Sequence, residues 1–532
     1  MDRSNTHAPR HEPESEFAHR RFNGYGMSDR RTDRSHLVVT GATGLIGHYL
    51  LARLLAQGVR CAAVVRDPDA DVVRLDALCR PLDACASHAI AREQLVLLRG
   101  DLLNDIERPI GLSASDIVHL AGCTRFQLDS NGDPSRTNVQ GTQRLLEWAS
   151  RHDITRVHLA STAYSGGPSS GSVPEAPLPW SAEFNNDYER SKWTCERLCH
   201  EWALQDRSRR VTVLRPSIVV GEWATGRTSA FSGLYLAIRA VQAAVSLANR
   251  QASSTSLQVP LRLPGKSLGV QNVVPVDYVA NMIAAIVSSE AHHGGYYNLV
   301  HPAPPENDLI RMGIQAALRI DGLTFSSAPT HRDRRSKFER IFDRVIEPIR
   351  PYLFHSPRFS RDRAAAVEFA EGIQCPTYDL SAMTRLCAYA GPSFTAPHET
   401  PSLLSAESAK YFEHFLPDQV PKSSVARLIG LTADVRFTLT GIPDGAWLCR
   451  FKAGQLTSVL QTKNGEKEDF GYCVGASTFL KIVAGQLDPQ QAFLAGQIEV
   501  SGNIEQALKM AMVLHQFNTE FPFRSAAAPP PL

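Results

Sequence analysis

Residues 37–50, LVVTGATGLIGHYL, decide the reading of the fold. Leu37, Val38 and Val39 make a short apolar run of the kind a fully buried parallel strand uses. Gly41, Gly44 and Gly47 follow at three-residue spacing, and an apolar run opening at Leu45 predicts a helix. Strand, glycine turn and helix N-terminus together make a dinucleotide cradle, with Thr43, Leu45 and Ile46 set between the glycines. The first glycine permits the tight turn. The second lets the backbone approach a pyrophosphate. The third lets the helix pack closely on the sheet, and the free N–H groups of the first helical turn face the anion.

The segments downstream repeat the strand–helix alternation. Residues 61–67, CAAVVRD, read as a second buried strand ending at Arg66. An acid at that end suits a ribose 2′-hydroxyl, whereas an arginine suits a 2′-phosphate. Arg66 therefore points to NADPH, with Asp67 left as the residue that would serve NAD. Leu95–Leu98, Ile117–Leu120 and Val157–Ala160 predict three more strands, and Asn138–Ala149 a helix. Such alternation predicts a doubly wound parallel α/β sheet, with ligands bound beyond the carboxyl ends of its strands. Beyond the fifth strand come Ser161 and Thr162, then Tyr188 and Lys192. The last two lie one helical turn apart and share a face. An ammonium beside a phenol favours the phenolate, so the spacing predicts a Tyr188 pKa lowered toward working pH.

These motifs resemble an extended short-chain dehydrogenase/reductase over residues 36 to about 300. The resemblance is carried by TGATGLIG at 40–47, Gly100-Asp101-Leu102, His119-Leu120-Ala121, Asn138-Val139 with Gly141-Thr142, Ser161-Thr162-Ala163, Tyr188 with Lys192, and Arg215-Pro216. Gly122 stands where that family more often has alanine. Residues 188–192, YERSK, residues 215–221, RPSIVVG, and Thr225-Gly226 are similar to the fatty acyl-CoA reductase and thioester-reductase branch. The resemblance implies that Tyr188 gives a proton to a carbonyl oxygen. Lys192 would hold the nicotinamide ribose, and Thr162 would hydrogen-bond the reacting oxygen, with Ser161 as the alternative. It also implies cofactor contacts at Asp101, Leu102, Ala121, Pro216 and Ile218 beside Gly41, Thr43, Gly44, Leu45, Ile46, Gly47 and Arg66.

The middle of the chain carries less chemistry. Leu234–Ala248 predicts a helix apolar nearly all round, which is buried or faces an apolar ligand. Residues 273–279 open another helix, and Tyr296–Leu299 a late strand. Residues 331–363 are basic around an amphipathic core of Phe338, Ile341, Phe342, Val345, Ile346 and Ile349, which Pro348 and Pro351 are expected to break. Such a stretch covers a domain, touches a membrane surface or grips a phosphopantetheine phosphate. Residues 391–425, rich in Pro, Ser and Glu, read as a linker around one short aromatic helix at Tyr411–Phe415.

From about residue 425 the pattern changes to period two. Val435, Phe437 and Leu439, then Trp447, Cys449 and Phe451, predict antiparallel strands with one apolar face. Helices are expected at Phe479–Ala484 and from Ile504, with a last strand at 497–502. Residues 437–441, FTLTG, Gly485 with Leu487-Asp488-Pro489, Ala492-Phe493 with Gly496, and Ile498, Val500 and Gly502 resemble the sterol-carrier-protein-2 family. That resemblance implies an α+β lipid-carrier-like domain with helices over an apolar tunnel.

The chain of 532 residues is long enough for two or three domains, and its 43% hydrophobic and 21% charged residues are an ordinary globular composition. The expected organisation is a disordered tail at 1–35, a reductase domain at 36–330, a helical extension and linker at 331–424, a lipid-carrier-like domain at 425–524 and a tail at 525–532. Met27 is a candidate native start. A net charge of +2 argues against a nucleic-acid partner. The ten cysteines include no Cys-x-x-Cys pair, and Cys195 and Cys199 lack further ligand types at metal spacing, so no metal is expected. No apolar run reaches membrane-spanning length, and acids in the N-terminal tail argue against a transit peptide, so the expected location is cytoplasmic.

Taken together, the resemblances imply an NADPH-dependent reductase of a lipid-like carbonyl, foremost a fatty acyl thioester reduced to aldehyde or alcohol. The acyl group would arrive on CoA or an acyl-carrier protein. A hydroxysteroid or lipid-alcohol dehydrogenase, and an NADP-sensing lipid-binding protein, are the alternatives. Peripheral membrane contact and oligomeric state stay open.

Overall fold

A computed structural model describes residues 35–523 apart from short breaks, the longest at 249–256, 327–335 and 390–400. The two expected tails, through residue 34 and from residue 525, lie outside the described residues, as does Met27.

The glycine stretch folds as strand, turn and helix: β1 (His36–Thr40) and α1 (Leu45–Ala56). Then come β2 (Cys61–Val65), α2 (Pro68–Cys79), β3 (Leu95–Arg99), β4 (Ala114–His119), α3 (Gly141–Arg151), β5 (Arg156–Ala160), α4 (Asp187–Leu204) and β6 (Arg210–Pro216). After α5 (Leu234–Ala248) and α6 (Val276–Ser288), β7 (Tyr296–Leu299) closes the sheet. Its order is β7-β6-β5-β4-β1-β2-β3, and every pair is parallel. The order reverses between β1 and β4, which opens a crevice at their carboxyl ends.

Helices cover both faces, which is why β1 is apolar throughout. Leu37 and Val39 join α1 and α6 in one core with Leu50, Leu54, Val279 and Ile283. Val38 faces the other side, where α3 and α4 contribute Leu145, Trp148, Cys195 and Trp202.

The basic stretch folds as α7 (Lys337–Ile346), a tight turn at Glu347–Ile349 and α8 (Arg350–Phe354). Its described apolar residues are not turned outward; the side chains of Phe338 and Ile341 lie outside the described ones. Phe342, Val345, Ile346, Ile349 and Tyr352 are buried in a third core with Tyr235, Ile238 and Val241 of α5. Pro348 and Pro351 bend the run rather than end it, since each sits in the first turn of a new helical segment. A proline there loses no hydrogen bond.

The linker expected at 391–425 is corrected over most of its length. α9 (Pro401–Lys410) continues through a wider turn at Tyr411–Phe415 into Leu416–Gln419. Leu404, Tyr411, Phe412, Leu416 and Val420 are buried in the C-terminal core. Their spacing keeps one side of the helical run apolar despite the surrounding Ser, Glu and Pro. Residues 391–400 lie outside the described residues.

The C-terminal sheet has five strands: β8 (Ala433–Thr440), β9 (Ala446–Lys452), β10 (Gln455–Gln461), β11 (Phe470–Gly475) and β12 (Ile498–Gly502). Their order is β10-β9-β8-β11-β12. The sheet is mixed rather than purely antiparallel, because β11 enters beside β8 in parallel. α10 (Ala476–Val483), α11 (Pro489–Leu494) and α12 (Ile504–Glu520) accompany it. No helix among the described residues is long and apolar enough to cross a membrane.

Candidate active site

The cradle rests on three glycines, two of which leave no room for a side chain. Gly41 has φ +74°, and a Cβ there would lie 2.6 Å from Ala121 N. A Cβ at Gly47 would run into the carbonyl oxygen of Gly41, and one at Gly44 would lie 3.2 Å from that same oxygen. Gly44 caps α1 without a side-chain hydrogen bond, and no side chain among the described residues takes the first N–H groups. Thr43, Leu45 and Ile46 complete the turn. These backbone donors, at a helix start with no side chain in front, fit a dinucleotide pyrophosphate.

The ribose end is set by β2 and β3. Arg66 is exposed just beyond β2, with no side-chain hydrogen bond or ion pair among the described residues. Asp67 is spent: its carboxylate accepts from Asp69 N and Ala70 N and caps α2. Val65 pairs in register with Arg99, which is also exposed. Two arginines thus end adjacent strands; the sequence reading found only Arg66. Asp101 accepts from Leu103 N at 2.9 Å and shapes its own turn. Leu102 is buried and would touch a side chain at Gly141. Ala121 N donates to Thr40 Oγ1 at 3.2 Å beneath the glycine turn. Pro216 O accepts from Ala163 N, and Ile218 N donates to Asn272 O.

Behind the cradle, His119 is buried between two hydroxyls, Thr40 Oγ1 at 2.7 Å and Thr142 Oγ1 at 3.1 Å. Burial, and secondarily Lys192, lower its pKa to about 3, so the imidazole is neutral.

Tyr188 and Lys192 stand in the first turns of α4, whose start Asn186 caps by accepting from Glu189 N. Lys192 is buried and donates to Ala160 O at 2.8 Å, which ties α4 to the end of β5. Gly122 explains itself here: a Cβ would lie 2.9 Å from Asn138 Oδ1 and 3.4 Å from Lys192 Nζ. The expected lowering of the Tyr188 pKa is corrected. Burial pushes the phenol above its ordinary range, with smaller contributions from Cys195, Glu189 and Cys123. Lys192 is itself held below the usual ammonium range by burial. Desolvation is the largest cause, and no lowering by the Lys192 ammonium accompanies it.

The two hydroxyls after β5 separate cleanly. Ser161 Oγ donates to Glu196 Oε1 at 2.5 Å, on the buried side toward α4. Thr162 Oγ1 accepts only a 3.3 Å bond from Tyr164 N among the described residues, so its own proton is uncommitted. Glu196 also takes Ser165 Oγ at 3.0 Å and the Arg215 guanidinium at 2.9 and 2.6 Å.

A third set of residues was not foreseen. Glu189 is fully buried and accepts from Tyr352 Oη at 2.6 Å and from Asn185. Burial raises its pKa. Tyr352, from α8, stands 5.8 Å from Phe126, which meets Tyr188 edge-on at 6.3 Å. An open pocket of about 690 Å³ lies alongside, lined by Phe126, Asn185, Asn186, Arg190 and Pro348 among others. Phe126, which lines it, is the residue that also meets Tyr188. One signal was available in the sequence: Glu189, Lys192 and Glu196 follow the same helical period as buried Cys195 and Cys199.

At the opposite end of the sheet, Asp116, His158 and His293 cluster within ligand reach of one another. The Arg156 guanidinium already holds both Asp116 oxygens, at 2.8 and 2.9 Å, in the place a cation would take.

Comparison with known proteins agrees with the fold. Residues 39–283 match the Male sterility protein family of NAD-binding domains, and residues 412–515 match the SCP-2 sterol transfer family. A protein of Aspergillus flavus named nonribosomal peptide synthetase asaC is 25% identical over 305 residues, 52% of this chain and 27% of that one. Aldehyde reductase lnbA of the same organism is 23% identical over 402 residues, 68% of this chain and 35% of that one. The chain thus spans only about a quarter to a third of these relatives' length. Among solved structures, the terminal R domain from the myxalamid PKS-NRPS biosynthetic pathway shares the fold with TM-score 0.52 and 21% identity, covering 66% of this chain and 89% of that one.

Proposed function

We propose that this chain, an extended short-chain dehydrogenase/reductase joined to a sterol-carrier-protein-2-like domain, is an NADPH-dependent reductase of a lipid-like carbonyl, foremost a fatty acyl thioester. The observation that carries the reading is the bond from Lys192 Nζ to Ala160 O, which ties the helix of Tyr188 and Lys192 to the strand end that Thr162 follows, at the carboxyl end of a parallel sheet. The likeness to a synthetase, a terminal R domain and an aldehyde reductase supports a thioester as substrate, on CoA or on a carrier protein.

A bound NADPH supplies the hydride. The α1 N-terminus and the cradle glycines receive its pyrophosphate, Arg66 and Arg99 its 2′-phosphate, and Lys192 the nicotinamide ribose. Thr162 Oγ1 donates to the carbonyl oxygen and polarises it. As the carbonyl carbon gains the hydride, Tyr188 passes its phenolic proton to the oxygen. With a thioester the product is a hemithioacetal. It collapses by breaking the carbon–sulfur bond, giving aldehyde and free thiol. A second hydride and proton would take the aldehyde to the alcohol. The approach past Phe126 and Pro348 leaves room for an extended acyl or pantetheine arm.

Tyr188→Phe tests the assignment. It deletes the proton donor and keeps the ring, so NADPH affinity should hold while turnover falls ~10²–10⁴-fold. Wild-type turnover in that variant would remove Tyr188 from the mechanism.

A further inference from the structure

The contact between Glu189 and Tyr352 has no part in the chemistry proposed above, yet its partners flank Tyr188 in the chain. Glu189 is fully buried, and its side-chain partners among the described residues are neutral. Tyr352 Oη donates to its Oε1 at 2.6 Å, Asn185 N to its Oε2 at 2.9 Å, and Asn185 Nδ2 to both oxygens at 3.0 and 3.1 Å. Tyr352 Oη in turn accepts from Asn186 Nδ2 at 2.6 Å, and Asn186 Oδ1 accepts from Glu189 N at 3.0 Å. The bonds thus close a ring through residues 186, 189 and 352. Asp187 N donates to Phe126 O at 2.9 Å, and the Phe126 ring meets both Tyr188 and Tyr352. Tyr188 is therefore held through its chain neighbours and through its own ring. Tyr352 touches a holder of each kind.

Tyr352 comes from elsewhere in the chain, beyond residues 39–283, which match the Male sterility protein family. α8 has its own seat: Ile349 and Tyr352 join the core around α5, and Gln271 Nε2 donates to Tyr352 O at 3.0 Å. An outside anchor thus grips the first turn of α4. Lys192, one turn on, is fixed separately by Ala160 O. A buried carboxylate served by neutral donors returns little stability to the fold. Its bonds do give direction, because a hydrogen bond sets an angle as well as a distance. A tilt of the first turn would swing the hydroxyl at the far end of the Tyr188 side chain. A misplacement of ~1 Å can slow a reaction on the order of 10²-fold.

We propose that Tyr352 is a positioning residue for Tyr188: through Glu189 and Asn186 it sets the first turn of α4, so that the helical extension at 337–354 completes the catalytic unit. The consequence for proton transfer rests on the function proposed above; the placement of Tyr188 does not.

Tyr352→Phe in the full-length chain keeps the ring against Phe126 and removes the hydroxyl alone. The first readout is the NMR resonance of the Tyr188 ring in isotope-labelled protein without cofactor or substrate, identified by its loss in Tyr188→Phe. Tyr352→Phe should shift or broaden it. Asn186→Ser keeps a cap on α4, loses the bond to Tyr352 Oη, and should move the same resonance. This readout needs no turnover, so it decides the placement even where the reductase reading fails. In turnover, Tyr352→Phe should lower kcat ~10–100-fold and leave NADPH affinity within about twofold of wild type. A double-mutant cycle separates positioning from stability. In a Tyr188→Phe background, Tyr352→Phe should cost less than about threefold, since the group it positions is gone. A hydroxyl that only stabilises the fold would cost both backgrounds alike. A Tyr188 resonance unmoved in either variant, a kcat within about twofold of wild type, or equal losses in the two backgrounds would overturn the inference.

Discussion

Replacing Glu196 by leucine probes the joint on which the catalytic strand end rests. Its carboxylate takes four hydrogen bonds, from Ser161, from Ser165 and twice from Arg215. The Arg215 and Glu196 side chains are 0% and 5% exposed. Without Glu196 the guanidinium keeps Pro174 O at 3.1 Å and the Tyr296 ring, and loses its counter-charge. Breaking a buried pair from one side costs about 3–5 kcal/mol. At ~2–4 °C per kcal/mol the melting transition should fall by about 6–20 °C. Pairing the change with Arg215→Met should recover most of that loss, because an apolar pair in the same place is near neutral. Ser161 precedes Thr162, so kcat should drop in the single variant with NADPH affinity largely kept. Thermal melts and steady-state kinetics of both variants form the assay. A single variant that melts within about 1 °C of wild type, or a double variant no better than the single, would refute the reasoning.

Arg66→Asp should raise the KM for NADPH about 10–100-fold, the worth of a charged hydrogen bond, and leave NADH nearly unchanged; equal losses would show that Arg66 does not select the cofactor. His119 sets a pH window for stability. Its folded pKa is about 3, below the ordinary imidazole value. The unfolded chain therefore takes a proton that the fold refuses. The stabilisation is complete above pH ~6.5 and is lost as pH falls toward 3, by about 2 kcal/mol at pH 5. Chemical denaturation between pH 7 and 5 checks this, and a flat profile would contradict it.

Much of the reductase half was legible because local and global signals agree there. Leu37–Val39 is apolar since both sheet faces are covered, and Gly41 and Gly47 are fixed by backbone contacts that exclude a side chain. Tyr188 and Lys192 fell where helical spacing put them. The Tyr188 pKa did not, because burial is a tertiary quantity that an i,i+4 pair does not reveal. Glu189 and Tyr352 are 163 positions apart, and the contact exists only because α8 folds back onto α4. The helical run at 401–422 was hidden by its Ser, Glu and Pro content, while its buried face holds only a few large residues such as Tyr411 and Phe412. β10 and β11 were missed because β10 carries mostly polar residues at an edge and β11 contains two glycines.

The central claim is that this site reduces a lipid thioester. The direct measurement is NADPH oxidation by the full-length chain against long-chain acyl-CoAs, acyl-carrier thioesters, fatty aldehydes and 3-ketosteroids, with products identified by mass. The account predicts NADPH consumption with a long-chain acyl thioester, matched by release of free thiol and appearance of the aldehyde or alcohol. Turnover confined to steroids, or none with any carbonyl while NADPH binds, would contradict it.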